Sequence, residues 1–278
     1  MQNLRPSETA LKIAYGVLSL SAKPGWSKKL PPELPGLIET LILEAKVMGY
    51  GKRLVAASQK KWMVSSYNVF EKIVPGIFEG MGYRKLFVSW AVENAITDGA
   101  NQVLIVGAGF DALCLQLAPK YPDVEFFEVD HPATAIAKAR GVAKVGQPDN
   151  LTLLQADLGE VALSDVLADC SRWDAAKRSV SVAEGLLYYL RQDQVQELFG
   201  HLHQSSGEGS RVAFCYMQDH RKYGWMGAAL NALREPWLSS SPKDQLDSYI
   251  GEGWRVFPEP NPTDYGSDLE EFALAERV

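Results

Sequence analysis

Cysteine is nearly absent from this 278-residue chain: Cys114, Cys170 and Cys215 are the whole complement, odd in number and far apart. No CxxC pair and no adjacent histidine accompanies them, which excludes a disulfide framework or a zinc site of ordinary spacing and points to a reducing, cytoplasmic setting. Long apolar runs are missing too. No stretch approaches the roughly 18 apolar residues a membrane helix needs. The N-terminal MQNLRPSETALKIAYGVLSLSA is only mildly apolar and is broken by Lys12, so it reads as part of a soluble, unprocessed chain with no membrane partner. Basic tracts are also lacking. Against 28 Lys and Arg stand 34 Asp and Glu, a net charge of -6, which excludes nucleic acid held by its phosphate backbone. Internal repeats, low-complexity tracts and long linkers are absent as well.

What is present is an ordinary globular balance, 46% apolar and 22% charged, enough to bury a sizeable core. The first 98 residues read mostly as helix. Residues 33–49 place Leu37, Leu41, Ile42 and Ala45 at helical spacing and end at Gly49, a residue suited to a helix C-terminus. A second helix is expected over about 60–72, with Trp62, Val69 and Phe70. In a third, at 83–96, Tyr83, Leu86, Phe87 and Trp90 recur at i, i+3, i+4 and i+7, predicting one packed face. After Gly99, short β-branched or apolar runs alternate with helical segments, the pattern of βαβ units. Strands are expected at 102–106, 124–129, 151–154, 179–183 and 211–216, and two more at 253–257 and 270–277. Pro132 suits the first position of the helix after Asp130. Val195, Leu198, Phe199 and Leu202 mark another helix, and Ser241-Pro242 opens a short one. One α/β sheet with an N-terminal helical cap accounts for this order.

The strand VLIV runs into GAGFDAL, residues 107–113. Gly107, Gly109 and Ala112 satisfy GxGxxG/A, and Asp130 ends the next strand at the distance of a ribose-binding acid. Several nucleotide classes share that arrangement. Asp111 is the discriminator: a carboxylate in this turn opposes a pyrophosphate but attracts the ammonium and sulfonium of S-adenosylmethionine (SAM). Helix capping is its plainer role. Asp157, after the third strand, is placed to reach an adenine amino group. Glu184 falls at the end of the fourth strand, where ligands bind in such sheets and where a charge needs a partner. The methionyl ammonium is one candidate partner, and a buried arginine such as Arg84 is the other.

Taken in order, VLIVGAGFDAL, FFEVDHPATAIAKAR, LLQADL and SVAEGLLYYL resemble the leucine carboxyl methyltransferase family of SAM-dependent O-methyltransferases, over roughly residues 80–220. The resemblance implies a class I, Rossmann-like methyltransferase fold: a seven-stranded sheet with its last strand antiparallel in residues 81–278, and a helical cap, residues 1–80, within the same domain. It also implies that Gly107, Ala108, Gly109 and Asp111 line SAM. Asp130 would sit at its ribose, Asp157 and Leu158 at its adenine, Glu184 at its methionyl end, and Arg84 at its carboxylate, with His131 also among the cofactor-binding residues. The chain departs from many relatives at Ala112 and Leu113, where they carry Thr-Arg, and at Gln116, a later arginine. An acidic acceptor would then lack that positive grip.

Methyl transfer from a sulfonium is an in-line displacement that needs alignment and exclusion of water, not a metal. A carboxylate acceptor is ionised at neutral pH and needs no base, whereas a phenol would. His220 is the candidate base, ahead of His201 and His203. Tyr188, Tyr189, Tyr216 and Trp225, with Trp62, Tyr67 and Phe70 in the cap, are the candidate wall of an acceptor pocket for a small molecule. Equally, such aromatics suit core packing or a subunit contact, so the oligomeric state stays open. The expected activity is transfer of methyl from SAM to a small-molecule oxygen acceptor, with S-adenosylhomocysteine as product. The alternatives are an NAD(P)-dependent oxidoreductase and a non-catalytic SAM-binding protein.

Overall fold

The computed structural model describes residues 5–49, 51–219, 237–256 and 270–278. Seven strands form one sheet: β1 (Gln102–Val106), β2 (Glu125–Asp130), β3 (Leu151–Gln155), β4 (Ser179–Ala183), β5 (Arg211–Tyr216), β6 (Trp254–Val256) and β7 (Glu271–Arg277), in the order β3-β2-β1-β4-β5-β7-β6. Parallel pairing joins β2 to β3, β1 to β4 and β4 to β5, while β7 runs antiparallel to both β5 and β6. All seven expected strands are found. Every residue of β1 and β4 is buried, which is why QVLIV and SVSVA read as nearly continuous apolar or small runs and not as alternations.

The chain divides into two compact units. The first comprises residues 1–86 and 107–157, the second 87–106 and 158–278. In the first lie helices α1 (Glu8–Ser21), α2 (Leu34–Ala45), α3 (Lys52–Ser58), α4 (Lys61–Ile73), the first part of α5 (Glu79–Thr97), α6 (Leu113–Leu117) and α7 (Pro132–Val145). In the second are α8 (Leu163–Ala168), α9 (Gln192–Gln204) and α10 (Leu246–Ile250). The apolar set of α9 is buried as its spacing predicts, and Pro132 is the first residue of α7.

Two helical expectations change, while the helix expected at about 60–72 is found as α4. The helix expected to run to Gly49 stops at Ala45, because Lys46 takes the left-handed turn at φ 55° and Arg140 Nη1 donates to the freed Ala45 carbonyl at 3.2 Å. In α5 the buried face is Arg84, Phe87, Val88, Ala91, Val92 and Ala95, whereas Tyr83, Leu86 and Trp90 are half-buried. Apolar residues ring this helix, so periodicity could not select the inner side. On α4, Val64 is buried, and Trp62, Val69, Phe70 and Ile73 are exposed.

Helix α1 is fixed at its start by Ser7, whose Oγ accepts from the Ala10 N–H at 3.1 Å and whose own N–H donates to Thr134 Oγ1 of α7 at 3.1 Å. Helix α2 packs along α7 at Gly141, where an added Cβ would lie 2.7 Å from Leu41 Cα and 2.9 Å from its Cδ2. Backbone cannot yield cheaply to such a methyl. Gly141→Ala should therefore destabilise the protein by about 1–3 kcal/mol despite better helix propensity. Urea unfolding checks this: the midpoint falls with an unchanged slope, and an equal or higher midpoint would show that the α2–α7 approach is not tight.

Candidate functional site

The turn after β1 needs glycine for a geometric reason. Gly107 and Gly109 have φ of 68° and 48°, a region L-residues rarely occupy, and an added Cβ on Gly109 would meet Ala10 Cβ of α1 at 3.1 Å. Helix α1 thus covers the turn. The N–H groups of Gly107 and Ala108 both donate to the Val129 carbonyl, at 2.9 and 3.3 Å, locking the turn to the end of β2. Next along β2, Asp130 accepts from the Gly109 N–H at 2.6 Å through Oδ2 and from the His131 N–H at 2.7 Å through Oδ1. A carboxylate offers about four acceptor positions, so two bonds leave capacity for ligand hydroxyls. Burial pushes the Asp130 carboxyl above the ordinary range, against the lowering pull of the Gly109 N–H, Lys138 and the His131 N–H.

Asp111 behaves differently from the sequence reading. Its Oδ1 lies 2.7 Å from Lys85 Nζ, both side chains about one-tenth exposed. Burial alone would raise its carboxyl, but Lys85 and Lys138 overcome that and hold it below the usual carboxylate range. Its charge is therefore matched, and the argument that it repels a pyrophosphate or draws a sulfonium loses its force. Nor does Asp111 cap α6: the residue at that position is Ala112, with no side-chain cap bond.

Sequence reasoning missed the pair beneath the turn. Lys138 of α7 is 2% exposed, and its Nζ lies 2.6 Å from Glu128 Oε2 of β2 and donates to the Ala108 carbonyl at 3.4 Å. Burial pushes the Glu128 carboxyl up, with Lys138 opposing, and it pushes the adjacent Cys114 thiol well up. A signal was available: Glu128 interrupts the apolar strand FFEVD two residues from Asp130, on the same face, and a buried acid there demands a cation.

His131 opens α7 as its N-cap. Nδ1 accepts from the Ala133 N–H at 3.3 Å, which puts the proton on Nε2, 3.6 Å from Asp157 Oδ2. Both side chains line a groove of about 470 Å³ whose other walls include Met48, Ile136 and Arg140. Arg84 is buried in α5, and Gln116 is buried, reaching Glu33 Oε1 at 3.4 Å. In the second unit Glu184 follows β4 directly, half-buried, before Gly185 at φ 63°, and Leu158 is half-buried at the start of that unit's second segment.

The candidate acceptor residues divide. Tyr216 is 1% exposed, and burial raises its hydroxyl pKa further above its already high value. Tyr188 is buried with its hydroxyl donating to Glu270 Oε1 at 3.2 Å, and it packs edge-on against the half-buried Tyr189. Both Tyr188 and Tyr216 are core residues here. Tyr67 stacks on Phe78 at 4.6 Å, while Trp62 and Phe70 face solvent. His201 sits 3.1 Å from Ser164 Oγ, and His203 packs on Trp254. His220 and Trp225 lie outside the described residues. Among the described residues no group of three His, Cys, Asp or Glu side chains is arranged to hold a metal, and no helix is long and apolar enough to cross a membrane.

A family model described as leucine carboxyl methyltransferase matches residues 45–203, over half of the chain. A Streptomyces coelicolor protein named as a candidate SAM-dependent methyltransferase is 31% identical over 178 residues, 62% of this chain and 61% of the relative. A Mycolicibacterium vanbaalenii protein of the same description is 27% identical over 210 residues, 70% and 68% of the two chains. The match to the first thus spans about three fifths of its length. In fold, the chain is similar to a candidate methyltransferase of Thermobifida fusca, with TM-score 0.60 at 16% identity, covering 91% of this chain and 97% of that one. Mitomycin 7-O-methyltransferase follows with TM-score 0.50 at 14% identity, covering 93% and 70%. Sheet order, the reversed β7 and these likenesses agree on the class I methyltransferase fold, and by the match over residues 45–203 the chain belongs to the leucine carboxyl methyltransferase family.

Proposed function

We propose that this protein is a SAM-dependent O-methyltransferase acting on a small-molecule oxygen acceptor, with a carboxylate as the acceptor class that fits best. The observation that carries the cofactor reading is Asp130: a strand-end carboxylate pinned by the Gly109 and His131 N–H groups, with lone pairs to spare for vicinal hydroxyls. Beside it, the groove bearing His131 and Asp157 has apolar walls for a purine face and an acid for an amino group. In this reading Gly107, Ala108, Gly109 and Asp111 line the turn, Asp130 holds the ribose, and His131, Asp157 and Leu158 border the adenine. Arg84 and Glu184 serve the methionyl end, where one meets a carboxylate and the other an ammonium. The bound sulfonium supplies an electrophilic methyl group. This chain then has to orient an acceptor oxygen in line with the departing sulfur and keep water out.

The carboxylate preference rests on what the reaction does not require. An ionised acceptor needs no base, and His201 and His203, two of the three base candidates, are engaged in packing and hydrogen bonds within the fold. With Leu113 and Gln116 where many relatives carry arginine, recognition of that carboxylate would fall to other groups of the pocket. Family membership sets aside the nicotinamide-dependent alternative.

Two measurements test these statements. S-adenosylhomocysteine at about 100 times its Kd should stabilise the folded protein by about 2.7 kcal/mol, seen as a raised Tm, while NAD at equal concentration leaves Tm unchanged. Asp130→Asn should weaken binding by about 10- to 100-fold through loss of charge-assisted bonds. Stabilisation by NAD alone would overturn the cofactor assignment. With labelled SAM and a panel of carboxylic acids and phenols, turnover should favour acids, and kcat should stay flat from about pH 6 to 9 because the acceptor is already ionised. A rate that climbs tenfold per pH unit toward the phenol range would instead assign a hydroxyl acceptor.

A further inference from the structure

We propose that Lys138 is the positioning residue of the cofactor site. Anchored by Glu128, its ammonium holds the Ala108 carbonyl from beneath, and so fixes the turn whose Gly109 N–H pins the Asp130 carboxylate in the shape that receives ligand hydroxyls. The inference rests on the cofactor reading above but concerns groups that the reading does not place in contact with the ligand.

The geometry is that of a supporting floor. Lys138 projects from the second turn of α7, while Glu128 and Asp130 share one face of β2. Ala108, Glu128, Asp130 and Lys138 surround a common cavity of about 10 Å³, at the lower limit of what admits a single water. Nζ bonds the Ala108 carbonyl at 3.4 Å, and the N–H of that same residue donates to Val129, between Glu128 and Asp130. A lysine this deeply buried and doubly engaged does more than neutralise one acid. It ties strand, helix and turn at the point where the turn must not move.

Electrostatics agree with the geometry. Asp130 is faced by Lys138 and His131 from α7. Glu128 lies on its own strand, the Asp111–Lys85 pair lies across the turn, and Asp157 stands behind His131. Burial favours the neutral carboxyl at Asp130, and Lys138 is one of the groups that oppose it. Removing Lys138 should thus move the Asp130 titration to higher pH. A neutral Asp130 gives up charge-assisted acceptance from ribose hydroxyls, so binding should weaken most at the acid end.

The test compares wild type with Lys138→Met and with the double variant Glu128→Gln/Lys138→Met, which avoids an unpaired buried carboxylate if the single variant fails to fold. Carbon-13 carboxyl NMR of the ligand-free protein follows Asp130, and hydrogen exchange follows the Gly109 amide. In a folded variant the Asp130 midpoint should rise by about one pH unit, the Gly109 amide should exchange faster, and S-adenosylhomocysteine should bind more weakly as pH falls, by up to about tenfold below the wild-type midpoint, with the deficit shrinking toward pH 8. A folded variant with an unchanged Asp130 midpoint and an unchanged Gly109 amide would reduce Lys138 to packing and overturn the proposal. Should S-adenosylhomocysteine fail to bind wild type at any pH, the proposed function falls, while the two ligand-free measurements still decide the role of Lys138.

Discussion

A buried ammonium must be answered, and the answer given to Lys138 organises the first unit. Leaving it or Glu128 unpaired in this interior would cost about 3–5 kcal/mol, so strand β2 and helix α7 can pack only in the register that brings the two together at 2.6 Å. That register also sets Val129 where the turn can bond it, and Asp130 where it takes the Gly109 N–H. The glycines at 107 and 109 follow from the same constraint. A chain that must double back between those partners enters the left-handed region, which glycine occupies without the penalty of a Cβ.

Much of this was legible in the sequence because burial writes itself into composition. Strands β1 and β4 are covered on both faces, and QVLIV and SVSVA carry no obligatory charge to obscure them. Proline at the start of α7 and the spacing in α9 were equally plain. The cap was harder. On α5, apolar residues lie all round, so the inner face is chosen by what packs against it and not by the helix. At the end of α2, a glycine four residues downstream pointed to the wrong stop, since Arg140, far away in sequence, satisfies the carbonyl that Lys46 leaves open.

The candidate site shows the same division. Gly107, Gly109 and Asp130 are readable because each stands at the end of a strand, where glycine spacing and a lone acid are local signals, and Gly109 donates to Asp130 while Gly107 donates to the neighbouring Val129 carbonyl. The pairing of Asp111 is not legible in the sequence, because its partner, Lys85, lies 26 residues earlier on a helix whose orientation spacing does not reveal. A charge read in isolation looks like an invitation to a ligand, whereas the same charge with an ammonium at 2.7 Å is part of the protein's own balance. Tyr188 and Tyr216 teach a related lesson: an aromatic at a strand end suggests a pocket wall, yet burial and a satisfied hydroxyl make Tyr188 core, and near-complete burial does the same for Tyr216.

The departures from the family pattern acquire a physical meaning from the same network. Ala112, Leu113 and Gln116 are all buried, so a charge at any of them would need an interior partner. In this chain the turn's cation instead comes from α5, through Lys85, and Gln116 satisfies its amide on Glu33. Positive charge is therefore not missing from the turn but is delivered from another element and consumed by Asp111. It follows that neither Lys85 nor Lys138 is available to grip an acidic acceptor, because each already answers a buried carboxylate at hydrogen-bond distance. If the proposed function holds, recognition of an acidic acceptor would be separable from the electrostatics of the turn, and that separation would let the acceptor pocket change without disturbing the groups around Asp130.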